Sequence, residues 1–111
     1  MSRPYEHLTV TRHDTVVEVA LDRPESMNAL STAMARELGT ACAALGADPA
    51  VRVVVLTSSS PSVFCVGADL KERKGLSTPA WRAQHELFER AFWALGDLPL
   101  PVIAAVNGPA F

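Results

Sequence analysis

The sequence predicts an α/β fold in which a β-hairpin leads into a mostly parallel sheet flanked by helices. Three observations predict it. Runs of β-branched residues alternate with stretches of helical periodicity, the pattern of strands joined through helices. Two of those runs, residues 51–56 and 102–106, lack polar–apolar alternation, Arg52 being the one charge in them, as expected of parallel strands covered on both faces. Hydrophobic residues make up 49% of the 111, enough to give one small domain a core.

Taken in order, residues 8–12 and 15–21 read as two strands, with His13-Asp14 as a short polar connection. Residues 22–26 (Asp-Arg-Pro-Glu-Ser) break that pattern. A helix is expected from Ser31, a competent N-cap, because Met34, Leu38, Ala41, Cys42 and Leu45 recur at helical spacing; Asp48-Pro49 closes it. Residues 57–62 form a Ser-rich loop whose serines are better turn formers than nucleophiles. After Gly67-Ala68 a short helix is expected over residues 70–74, ended by Gly75. Thr78-Pro79 opens another helix, whose stripe Trp81, His85, Phe88, Phe92 and Leu95 reads as its core face. Residues 97–101, Asp-Leu-Pro-Leu-Pro, make a rigid connector into the final strand.

Composition excludes several function classes. A formal charge of −2 with scattered arginines offers no attraction to nucleic acid or anionic membrane. No stretch approaches membrane-span length, and the opening Met1-Ser2-Arg3-Pro4-Tyr5-Glu6 lacks the apolar core of a signal peptide. Cys42 and Cys65 both read as structural, since His85, the one arguable base for Cys65, falls in a separate helix. A reduced, cytoplasmic protein is expected.

The segment from Phe64 to Asp69 carries the chemistry. An apolar approach leads into a small Gly-Ala turn, and an acid then opens a helix. Such a turn aims a backbone N–H at a developing negative charge. With residues 21–30 (Leu-Asp-Arg-Pro-Glu-Ser-Met-Asn-Ala-Leu) and residues 98–108 (ending Val-Asn-Gly), it makes three blocks in order. Together they resemble the enoyl-CoA hydratase/isomerase family, the crotonase superfamily.

The resemblance implies a spiral of ββα units and a substrate that is an acyl thioester of coenzyme A. No cofactor or metal is implied beyond the coenzyme A of the substrate. Two backbone N–H groups would stabilise an enolate-like oxyanion, and the match puts the first at Ala68. Coenzyme A contacts map to Ser26, Met27, Ala68, Asp69, Leu70 and Lys71, with Glu25 standing where relatives often carry lysine. The second donor and the proton-transferring carboxylates lie, in the family, beyond the Asn107-Gly108 block. Asp69 and Glu72 do not match those positions and read as a helix-start and a surface carboxylate. The region from Trp81 to Phe92 also shapes the acyl pocket in the family.

The expectation is therefore the N-terminal part of a single crotonase-like domain spanning residues 1–111, its C-terminal part absent. Hydration of a 2-enoyl-CoA in fatty-acid or branched-chain catabolism is the default reaction. Isomerase, hydrolase, dehalogenase and decarboxylase activities use the same oxyanion hole. The family assembles as trimers or hexamers, and the apolar last strand is expected to need a covering partner. A different class of reading is a catalytically inactive fragment or paralogue with residual coenzyme A binding or a protein-interaction role. A serine peptidase on the same spiral would need a histidine that no position supplies.

Overall fold

A computed structural model describes residues 4–111, so Met1, Ser2 and Arg3 of the N-terminal reading lie outside the described residues. Four strands, β1 (Leu8–His13), β2 (Val16–Leu21), β3 (Val53–Ser58) and β4 (Val102–Ala104), form one sheet in the order β1-β2-β3-β4. The first pair is antiparallel and the other two are parallel, as the sequence predicts. The hairpin turns at Asp14, whose φ of 60° is one that aspartate tolerates.

Strand alternation puts Val17, Val19 and Leu21 on the same face as Val54, where they meet the helices. Helix α1 (Thr32–Gly46) lies on that face through Met34, Ala35, Leu38, Ala41, Cys42 and Leu45. Its N-cap is Ser31, whose hydroxyl accepts from the Met34 N–H, as expected. Helix α2 (Leu70–Lys74) has the expected bounds. Helix α3 (Thr78–Gly96) is capped by Ser77, one residue before the expected Thr78.

Three expectations need correction. Helix α3 is turned by about one residue: Gln84 and Ala91 are buried, Leu87, Phe88, Ala94 and Leu95 pack on the core, and Trp81 and Phe92 are exposed. The two stripes share Phe88 and Leu95, so spacing alone does not separate them. Small Ala91 admits close approach of α1, and the Gln84 amide is drawn inward by a carboxylate described below. The strand expected at residues 51–56 is shifted by two, to Val53–Ser58: Val51 and Arg52 precede it, Thr57 and Ser58 join it from the loop, and its second face is only half-buried. The last strand is short and largely exposed, with Ile103 at 54%.

A second, smaller layer positions the site. After β2, β3 and β4 the chain makes short cross-segments that pair in parallel, Leu30 with Ala68 and Cys65 with Ala110. The first two units thus read strand, cross-segment, helix, and β4 with its cross-segment repeats the start of that pattern, so that successive cross-segments lie side by side in a spiral. Gly108 fits where the third segment crosses the second: a Cβ there would stand 3.1 Å from the Ser62 carbonyl oxygen and the Val63 Cα. The Asn107 amide donates to the Ser60 carbonyl at 2.8 Å and holds that crossing.

Candidate active site

The first and second sequence blocks meet along the pair of cross-segments. Leu30 N–H donates to the Gly67 carbonyl at 2.8 Å, and Asp69 N–H donates to the Leu30 carbonyl at 2.9 Å. In a parallel pairing those two groups point to the same side, so the N–H of the intervening Ala68 points to the other. Among the described residues the Ala68 N–H has no acceptor. Gly67 makes this turn at φ +94°, which an L side chain rarely adopts. Ala68 is half-buried and reachable.

Asn28 is the fastener between the blocks. It is fully buried, with φ +57°. Its Oδ1 accepts from the Arg23 N–H at 2.7 Å, while its Nδ2 donates to Ser58 Oγ at 2.7 Å and the Phe64 carbonyl at 2.9 Å. Met27, at φ +53°, completes the tight turn and accepts from the Val66 N–H. Cys65 donates its thiol to the Asn28 carbonyl at 3.2 Å, and burial raises its pKa. His85 instead stacks on Trp81, with ring centroids 5.6 Å apart, and pairs with Glu89 at 2.9 Å. Cys65 therefore has the structural role expected of it.

The carboxylates do more than the sequence indicates. Asp69, with a side chain only 13% exposed, pairs with Arg23 at 2.8 Å. Its other oxygen accepts from the N–H groups of Lys71 and Glu72, capping α2. Those bonds, the Arg23 guanidinium first, hold its pKa below the ordinary value. Being a carboxylate on the N–H groups of a five-residue helix, Asp69 also offsets much of whatever dipole α2 offers. Glu72, read as a surface carboxylate, accepts from the Thr32 N–H, the Thr32 hydroxyl and the Gln84 amide. Nothing in periodicity distinguishes it from a solvated helix residue, because its partners are 40 and 12 positions away.

A pH dependence follows from Asp69. Its folded pKa is lowered, so its contribution to stability is full above the ordinary carboxylate pKa, about 4, and is lost as pH falls through the lowered value. The stability difference between the native chain and Asp69→Asn should be largest near neutrality and should shrink below about pH 4 in denaturant titrations. A difference independent of pH would show that the Arg23 pairing adds nothing.

All six predicted contact residues, Ser26, Met27, Ala68, Asp69, Leu70 and Lys71, line one open cleft of about 370 Å³. Arg23, Glu25, Ala29 and Val66 complete it. Its rim carries exposed Met27 and Leu70, at 56% and 74%, together with the Lys71 and Glu25 charges. Apolar surface flanked by cationic and anionic groups can stack a flat ring and meet a phosphate, and Ala68 is among the residues that line it. A separate apolar pocket of about 190 Å³ is lined by Leu21, Leu30, Phe64, Cys65, Phe92 and Phe111 among others. Among the described residues no group of three or more potential metal ligands occurs, and no helix is long and apolar enough to cross a membrane.

A family model described as enoyl-CoA hydratase/isomerase matches residues 11–111. The chain is 33% identical over 104 residues to the crotonyl-CoA hydratase of Syntrophomonas wolfei, covering 94% of this chain and 40% of that protein. It is 34% identical over 95 residues to human mitochondrial methylglutaconyl-CoA hydratase, covering 86% of this chain and 28% of that protein. The crystal structure of an enoyl-CoA hydratase from Bacillus anthracis superposes with a TM-score of 0.89 at 35% identity, over 93% of this chain and 40% of that one. The chain thus spans less than half the length of the relatives it matches.

Proposed function

Because this chain belongs to the enoyl-CoA hydratase/isomerase family, we propose that its cleft binds an acyl-coenzyme A thioester and that the Ala68 N–H is one of two donors to the thioester oxyanion. The observation that carries this reading is the free Ala68 amide, turned away from its ladder partner at the wall of the cleft. A fixed amide dipole stabilises charge that develops during reaction with little reorganisation. Ser26, Met27, Leu70 and Lys71 are proposed to hold the coenzyme, the apolar pair against its base and Lys71 toward its phosphates. Asp69 acts by holding the turn, since both its oxygens are already engaged.

Hydration of a 2-enoyl-CoA is the proposed reaction of the natural protein, supported by the hydratase names of its relatives. No cofactor is proposed beyond the coenzyme A of the substrate, and a homo-oligomer in the cytoplasm is the proposed setting. The 111 residues taken alone supply one donor, and no carboxylate at the family's proton-transfer positions. We propose that this polypeptide by itself binds coenzyme A without turnover.

The test is hydration of crotonyl-CoA by the natural protein, followed by loss of the enoyl absorbance. Absence of turnover with any enoyl-CoA would refute the reaction. Glu25 supplies a second check. Its exposed carboxylate stands at the cleft and repels phosphate, so Glu25→Lys should tighten coenzyme A binding about threefold to tenfold at low salt. The gain should fade as salt is raised. No change by calorimetry at low salt would place the phosphates elsewhere.

A further inference from the structure

We propose that Glu72 is a positioning residue for the Ala68 amide, acting by fixing the angle of α2; this rests on the oxyanion role of Ala68 proposed above. Helix α2 has five residues, a single turn that cannot be stable on its own, so tertiary ties decide where it sits. One tie is the Leu30–Ala68 bridge, with Arg23 on Asp69 beside it. The other is Glu72. Its Oε1 accepts from the Thr32 N–H at 2.8 Å, the Thr32 hydroxyl at 2.7 Å and Gln84 Nε2 at 2.6 Å. Gln84 Nε2 also donates to the Thr32 hydroxyl at 3.0 Å.

Thr32 lies two residues after Leu30, and Glu72 lies four after Ala68. The two ties therefore close a ring: Leu30 to Thr32 forms one side, Ala68 to Glu72 the other, bridged at both ends. With one end open, the turn could pivot about Leu30 and swing the Ala68 N–H. With both closed, it has one direction. Gln84, only 4% exposed, locks the far end against α3.

The test compares Glu72→Ala and Glu72→Gln in the natural protein by kcat and KM for crotonyl-CoA, melting temperature, and hydrogen exchange of the Asp69 amide. Glu72→Ala should lower kcat on the order of tenfold to a hundredfold with KM little changed, and should speed exchange at Asp69. Glu72→Gln keeps an oxygen for the Thr32 N–H and should restore kcat to within about threefold, with slow exchange. Should Glu72→Ala fail to fold, Thr32→Val, which removes only the hydroxyl, should show a smaller fall in kcat in the same direction. Loss of melting temperature with kcat per folded molecule unchanged would overturn the proposal. So would a Glu72→Gln variant as slow as Glu72→Ala. If the natural protein hydrates no enoyl-CoA, the functional reading fails, and exchange at Asp69 alone decides whether Glu72 fixes the turn: unchanged in Glu72→Ala overturns it.

Discussion

Removing the Ala68 N–H, by proline or by an amide-to-ester replacement, should lower kcat for crotonyl-CoA in the natural protein by about 10²–10³-fold with KM little affected. The expectation rests on where that group points. Its neighbours Gly67 and Asp69 use their carbonyl and N–H on Leu30, so the Ala68 amide is spare within the fold. The N–H itself adds nothing to stability, but the ester also weakens the Gly67 carbonyl that accepts from Leu30 N–H, so the melting temperature should fall by several degrees while kcat falls far more. That separation is unusual for a backbone change and makes the result diagnostic. Proline restricts Gly67, which sits at φ +94°, so the ester is the cleaner replacement. Turnover within about threefold of native in the ester would mean that the oxyanion is held by other groups.

Asn28→Ala should have the largest effect on stability, about 3–5 kcal/mol, lowering the melting temperature by roughly 10 °C or more. Truncation leaves the Arg23 N–H and the Phe64 carbonyl without partners and takes a donor from Ser58 Oγ. Each buried group so stranded costs about 1–3 kcal/mol. Alanine at φ +57° adds about 1–2 kcal/mol of backbone strain. The two parts can be separated. Asn28→Gly relieves the strain alone and should recover about 1 kcal/mol of the loss, leaving the rest. An Asn28→Ala protein as stable as the native one in urea titration would remove Asn28 as the fastener between the blocks.

Much of this arrangement is legible in the residues, and the illegible parts share a physical cause. Strand runs, the Ser31 cap and the five residues of α2 are local properties, set by β-branching, capping and the Gly75 stop. The Gly67-Ala68 turn is legible because few residue types tolerate what it demands. Glu72 is illegible because its donors are brought to it by the packing of α1 and α3. Arg23 reads equally well as a free surface charge until the bridge between cross-segments delivers Asp69 to it. The face of α3 fails for a related reason. Trp81 and Phe92 outweigh Gln84 and Ala91 in any hydrophobic count, yet a small residue and an amide with a waiting carboxylate decide which side turns inward. The second face of β3 and the short, exposed β4 show that an unbroken apolar run reports a capacity for burial, whether or not a covering layer is at hand.

In the proposed complex the Ala68 amide faces the thioester oxygen in a cleft that holds coenzyme A. A crystal structure of the natural protein with a non-reactive acyl-CoA analogue tests it most directly. The thioester oxygen should lie about 3 Å from the Ala68 nitrogen, with the coenzyme running past Ser26, Met27 and Lys71. Coenzyme A bound outside that cleft, or a thioester carbonyl turned away from Ala68, would contradict it.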